Sequence, residues 1–140
     1  MLFSFSGRVF SGMGKGRYYV GHPQYQERFE SALGYRPYPG TLNVELEDSV
    51  TIEKMRKLRS LGGTKIESFT VDGEGFSSLN CFDGRMRDEK VTLLFIEVTR
   101  YNERVAELIS PAFLRGKLGL KDGDHVGFAI EVPGPIPGKG

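Results

Sequence analysis

The segment Val91–Val98, VTLLFIEV, is apolar on both of its faces. Side chains of a strand alternate between faces, so this segment reads as a central strand covered from both sides. A chain of 140 residues suits one domain with a single core, and the cover has to come from the segments around it. Those segments are short. Leu2, Ser4, Ser6 and Arg8 alternate with Phe3, Phe5, Gly7 and Val9 and predict a first strand. In Thr41–Glu47 the residues Leu42, Val44 and Leu46 share one face, and Thr41, Asn43, Glu45 and Glu47 share the other. Lys65–Val71 and Phe76–Phe82 read as strands joined at DGEG, a hairpin pattern. Further strands are expected at Arg104–Ile109 and Val126–Val132.

Helical patterns are few. HPQYQERFESALG has Pro23 placed for a first turn, Gly34 placed as terminator, and Tyr25, Phe29, Ala32 and Leu33 on one apolar face. IEKMRKL reads as a short helix ended by Gly62-Gly63. Pro111 is expected to open another, PAFLRGKL, stopped by Gly119. Tyr18-Tyr19-Val20 favours an extended piece. Six or seven short strands with two or three short helices do not alternate as a doubly wound parallel sheet requires. A mainly β, small closed barrel with helices in its connections fits better. Residues 1–132 are expected to form that single domain, and 133–140, rich in Pro and Gly, a flexible tail.

The formal net charge of +1 gives no strong field for a nucleic acid or a membrane, although a local basic patch stays open. The single cysteine, Cys81, leaves no intramolecular disulfide or cysteine-based zinc site and reads as a buried small side chain. No apolar run reaches the length of a bilayer span, and the N-terminus lacks a signal-peptide pattern. A cytoplasmic enzyme or binding protein is expected.

Several positions have the chemistry of a site. GRVFSGMGKGRYYV alternates Gly12, Gly14 and Gly16 with other residues and interleaves Lys15 and Arg17. It matches neither familiar nucleotide fingerprint. It reads either as a flexible turn or as a cradle of backbone N–H groups for an anion, with Arg17 able to grip phosphate through paired hydrogen bonds. Thr41 and Asn43, two apart on a strand, point the same way and offer two hard, neutral oxygens. Magnesium with phosphate and water as its other ligands would accept them; an ordinary polar strand face is the alternative. Glu107 shares a parity with Val105 and Ile109, and a carboxylate among apolar neighbours needs a partner, a raised pKa or a ligand. It can orient or deprotonate a substrate hydroxyl, or be an ion-paired edge residue. His22 and His125 read as structural or solvated. Lys54, Arg56, Lys57 and Arg59 make a basic run on a short helix, either a solvated face or a phosphate contact.

Three stretches together, GRVFSGMGKGRYYV, YPGTLNVEL and ELISPAFLRGKLGLKDGDHV, resemble in order and spacing the archaeal CTP-dependent riboflavin kinases. The likeness runs from about Phe5 to Val132 and is weakest from Val50 to Met86. It rests on the combination of a Gly-x-Gly-x-Gly-Arg loop, a Pro-x-Gly-Thr-Leu-Asn strand start, and a Pro-x-x-Leu-Arg helix before Leu-Lys-Asp-Gly-Asp. The resemblance implies a six-stranded barrel of the cradle-loop type. It implies transfer of the γ-phosphoryl of CTP to the 5′-hydroxyl of riboflavin, giving FMN and CDP. It puts Gly12, Met13, Gly14, Lys15, Gly16 and Arg17 around the nucleotide phosphates, with Ala112, Phe113, Leu114 and Arg115 at the cytidine nucleotide. It makes Thr41 and Asn43 the Mg2+ ligands, and sets Thr99 and Glu107 at the flavin. Phosphoryl transfer asks a protein mainly for positioning and charge stabilisation, and Glu107 is the residue expected to handle the ribityl hydroxyl.

The choice of CTP over ATP comes from the resemblance alone. Many relatives carry an N-terminal helix-turn-helix domain that residues 1–140 lack, so no DNA-binding role tied to it is expected. The expected partners are the small molecules riboflavin and CTP, with no nucleic acid, no membrane and a monomeric state. Two rival readings remain at this level: a non-catalytic flavin or nucleotide carrier, and a DNA-binding barrel using Lys54–Arg59.

Overall fold

In the computed structural model, which describes residues 1–97 and 103–133, the alternation at the start of the chain becomes a strand. Phe3, Phe5, Gly7 and Val9 point inward, and Leu2, Ser4, Ser6 and Arg8 face out. The elements follow as β1 (Leu2–Phe10), α1 (Lys15–Gly21), α2 (Pro23–Leu33), β2 (Leu42–Leu46), α3 (Ser49–Ser60), β3 (Thr64–Ile66) and β4 (Phe69–Val71). After these come β5 (Glu74–Phe76), β6 (Leu79–Met86), β7 (Glu89–Ile96), β8 (Val105–Ile109), α4 (Leu114–Leu118) and β9 (His125–Glu131).

Six strands run antiparallel in the order β6-β7-β8-β2-β1-β9, and β9 pairs back onto β6 to close the barrel. Closure falls at Gly84, opposite Ile130. A Cβ there would sit 2.1 Å from the carbonyl oxygen of Ala129, so the approach needs glycine. β3 adds to the edge of β6, and β4–β5 form a separate hairpin. The expected six-stranded barrel is therefore present, with four helices among the described residues rather than two or three.

The two-faced apolarity of VTLLFIEV has a direct cause. Val91 and Leu93 belong to the core inside the barrel, with Val44, Leu46 and Leu108, and α3 adds Ile52, Met55 and Leu58 to it. Leu94 belongs to a second core on the outer side, with Tyr25, Phe29 and Leu33 of α2, Phe76 of the hairpin and Ile109. The sheet is thus covered on both faces over β7 and β8.

Several expectations change. Tyr18–Val20 is helical, within α1. Gly14, at φ 78°, starts the helix, and Val20 is buried in the outer core, so packing outweighs the strand propensity of Tyr-Tyr-Val. Ala32 is exposed, leaving Tyr25, Phe29 and Leu33 as the buried face of α2. Lys65–Val71 is two strands, because β3 pairs with β6 whereas β4 turns back on β5. α3 starts at Ser49 with the Asp48 carboxylate accepting the Thr51 N–H as its cap, earlier than the apolar pattern indicates. α4 starts at Leu114 rather than Pro111. Cys81 is buried as expected. His22 caps α2 through Nδ1, and His125 lies beside Glu47. In the basic run, Lys54 donates to the Ser4 carbonyl, Arg56 bonds Glu53 and Glu103, and Arg59 lies over the Phe95 ring. Apart from Pro133, the tail expectation falls outside the described residues. Among the described residues no helix is long and apolar enough to cross a membrane.

Candidate active site

The strand pair β2–β8 sets Asn43 directly opposite Glu107. Directly opposed residues project from the same face of a sheet. Here that is the outer face, since the adjacent Leu42 and Leu108 belong to the inner core. A cleft of about 750 Å³ opens over this face. Its wall is built from Phe10–Arg17, Tyr38–Asn43 and Ala112–Arg115, together with Glu107 and apolar residues such as Tyr19, Phe76, Leu94 and Ile96. A side pocket of about 400 Å³ beneath α3 shares Leu94, Ile96 and Glu107 with it. Glu107 therefore stands where the two spaces meet.

The glycine-rich segment reaches this place through a close approach. α1 lies against the start of β2 so tightly that a Cβ on Gly16 would come within 2.7 Å of Thr41 Oγ1 and 3.2 Å of its backbone nitrogen. Glycine at 16 is what lets the segment and the Thr41–Asn43 edge share one wall. At that edge the Thr41 hydroxyl donates to Asn43 Oδ1 over 3.0 Å. Thr41 is half-buried and Asn43 is only 7 % exposed, so Asn43 belongs to the packed interior and is not part of an open polar strand face.

Glu107 has no hydrogen-bond partner among the described residues. Burial alone pushes its carboxyl pKa up to about 7. A carboxylate poised near neutrality can take up and release a proton at the operating pH.

At the other end of the wall, Ala112 donates its N–H to Ser110 Oγ at 3.2 Å, and the Phe113 ring stacks on Tyr38 with centroids 4.9 Å apart. The structure thus gathers Gly12–Arg17, Thr41, Asn43, Glu107 and Ala112–Arg115 around one cleft, although the first and last of them lie more than a hundred positions apart in sequence. Thr99 lies outside the described residues. Sequence reasoning missed Tyr38, which looks like any turn tyrosine until its ring meets Phe113. It also missed Ser11 and Asp122, which hydrogen-bond each other beside Arg115. Only the Lys-Asp-Gly-Asp turn pattern pointed at Asp122, and it gave no partner.

The chain is 40 % identical over 120 residues to a riboflavin kinase of Archaeoglobus fulgidus, a match covering 86 % of this chain and 51 % of that protein. It is 39 % and 41 % identical over 127 residues to the riboflavin kinases of Thermoplasma acidophilum and Thermoplasma volcanium, in each case over 91 % of this chain and 56 % of the relative. The chain spans about half the length of these curated relatives. The model of the CTP-dep_RFKase family, described as a domain of unknown function, DUF120, matches residues 9–130. From the cleft wall to the barrel around it, the matched span takes in nearly every feature described above, and the chain belongs to this family.

Proposed function

We propose that this protein is a CTP-dependent riboflavin kinase, moving the γ-phosphoryl of CTP to the 5′-hydroxyl of riboflavin and releasing FMN and CDP. The observation that carries the reading is the single cleft shared by Gly12–Arg17, the Thr41–Asn43 edge, Ala112–Arg115 and Glu107. Family membership and the riboflavin kinases among its relatives supply the substrates. The barrel gives the geometry a reason, since donor and acceptor have to meet in line on one rigid face.

In this reading the triphosphate lies along Gly12–Arg17, where the backbone is open and Lys15 and Arg17 supply positive charge. Ala112–Arg115 hold the rest of the nucleotide. The flavin enters from the end where Leu94, Ile96 and Glu107 stand, with Thr99 as a further contact. Glu107 accepts the proton of the 5′-hydroxyl as the oxygen attacks phosphorus, and the bond to the CDP oxygen breaks. The new P–O bond, the departing CDP and the carboxyl-bound proton account for every atom of the transfer.

Thr41 and Asn43 suit a magnesium ion. Two cis ligands of an octahedron at 2.0–2.1 Å from the metal are about 2.9 Å apart, and the hydroxyl and carboxamide oxygens are 3.0 Å apart. Both are hard and neutral, and among the described residues no cluster of three His, Cys, Asp or Glu offers a metal cage. The magnesium carried by a nucleotide would keep its phosphate and water ligands here and neutralise phosphate charge. The protein is taken to act as a cytoplasmic monomer.

The test is direct. The chain is mixed with riboflavin, magnesium and either CTP or ATP, and FMN is sought. FMN from CTP with little from ATP is the expected outcome. Binding of flavin or nucleotide without FMN would favour the carrier reading. Salt-sensitive binding to duplex DNA without turnover would favour the DNA-binding one.

A further inference from the structure

The Leu120–Asp124 segment, which looks like a simple turn before β9, is tied to the point where β1 leaves for the glycine-rich segment. Gly123 donates its N–H to the Val9 carbonyl at 2.8 Å, and Val9 donates its own to the Asp124 carbonyl at 2.9 Å. Arg8 Nη1 donates to the Gly123 carbonyl at 3.1 Å, and the Asp124 carboxylate accepts the Lys121 N–H at 2.9 Å. The turn is therefore fixed on the barrel end by three hydrogen bonds and closed on itself by a fourth.

From this base Asp122 reaches two residues of the cleft wall while staying outside it. The Ser11 hydroxyl donates to its carboxylate, 2.9 Å from Oδ1 and 2.8 Å from Oδ2. Arg115 Nη2 donates to Oδ1 at 2.8 Å and also lies 3.4 Å from Ser11 Oγ. Ser11 opens the glycine-rich segment and Arg115 stands on α4, 104 positions away in sequence. We propose that Asp122 is a positioning residue for the nucleotide end of the cleft: it clamps Ser11 to Arg115, fixing where the glycine-rich segment begins and where the guanidinium points.

The proposal rests on the kinase reading for its ligand, a nucleoside triphosphate, but not for its geometry. The hydrogen bond from Arg115, followed by that from Ser11, holds the Asp122 carboxyl below the usual range, so the clamp is charged at neutral pH. A guanidinium has five N–H donors, and the contact with Asp122 occupies one nitrogen. The others stay available to an anion, with the side chain already ordered before it arrives.

Two measurements on the full chain test the clamp, each on Asp122→Ala and on the isosteric Asp122→Asn in case the alanine variant does not fold. In hydrogen exchange without ligand, the amides of residues 19–21, which α1 pairs with the carbonyls of residues 15–17, should exchange about tenfold faster in the variant while those of β1 and β7 keep their protection. Unchanged exchange at 19–21 overturns the proposal. In kinetics, KM for CTP should rise about tenfold with KM for riboflavin and kcat held within about twofold, Asp122→Glu should recover part of the loss, and Asp122→Ala should add little once Arg115 is Ala. An equal rise in both KM values, which a general loosening would give, overturns it too. If the unmodified chain makes no FMN, the kinase reading fails, and hydrogen exchange alone decides the clamp.

Discussion

Leu108 and Glu107 are neighbours in β8 and face opposite worlds. Leu108 is 0 % exposed inside the barrel, packed with Val44 and Leu93. Glu107 looks out of the same sheet into the cleft, without a hydrogen-bond partner among the described residues and with a pKa raised by burial. The same contrast runs along β2, where Leu42, Val44 and Leu46 face in and Asn43 faces the site. One face of the β2–β8 pair packs the barrel interior, and the other accepts a cost in desolvation to hold Glu107 and Asn43 at the cleft. Substitutions on the two faces should accordingly be read out by different measurements.

The sharpest break in the comparison would come from Leu108→Ala. Loss of a fully buried leucine should cost about 2–5 kcal/mol in urea unfolding, with kcat per folded molecule retained. Glu107→Gln should do the reverse. Turnover should fall about 100-fold or more, while flavin fluorescence still reports riboflavin binding and thermal stability is kept. Near-normal turnover in that variant would remove Glu107 from proton transfer. In the unmodified chain, kcat/KM for riboflavin should climb with pH through about 7 and level off above it.

A smaller effect is expected at the contact that joins the two sides of the site. Gly16→Ala would press a methyl group on Thr41, an overpacking worth about 1–3 kcal/mol, and magnesium–CTP affinity should fall by about tenfold in calorimetric titration. Unaltered affinity would show that the Thr41–Asn43 edge does not need its present spacing.

The smallest effect is in the pH dependence of stability. Glu107 has its folded pKa raised above the ordinary carboxylate value, so its contribution to stability is full below about pH 4.5 and is lost as pH rises through about 7. The melting temperature should drop by a few degrees between pH 5 and pH 8, and Glu107→Gln should flatten that part of the curve.

The inner face was the more legible in the sequence, because burial writes itself as period-two alternation. Phe3, Phe5 and Val9, and Leu42, Val44 and Leu46, all point where the pattern said. Where packing against distant residues decides, local pattern fails. α1 is seven residues long, too short for helical periodicity to show, and its strand-like Tyr-Tyr-Val is helical because Val20 is buried in the outer core. Parity left the face of Glu107 open, since Ala106 and Leu108 on the other face are apolar as well as Val105 and Ile109 on its own. The residues of the cleft could be named from motifs. Their meeting could not be derived from spacing, since it depends on strand order: β8 lies beside β2 although α3 and five strands separate them in the chain. Asp122 was invisible for the same reason, its partner Ser11 standing 111 positions away.

The outer face as a phosphoryl-transfer site is tested most directly by a crystal structure of the chain with CDP, magnesium and FMN. The account predicts the CDP phosphates along Gly12–Arg17, the metal against Thr41 and Asn43, and the FMN phosphate ester within hydrogen-bonding reach of Glu107. Both ligands bound elsewhere on the barrel, with Gly12–Arg17 turned away from them, would contradict it.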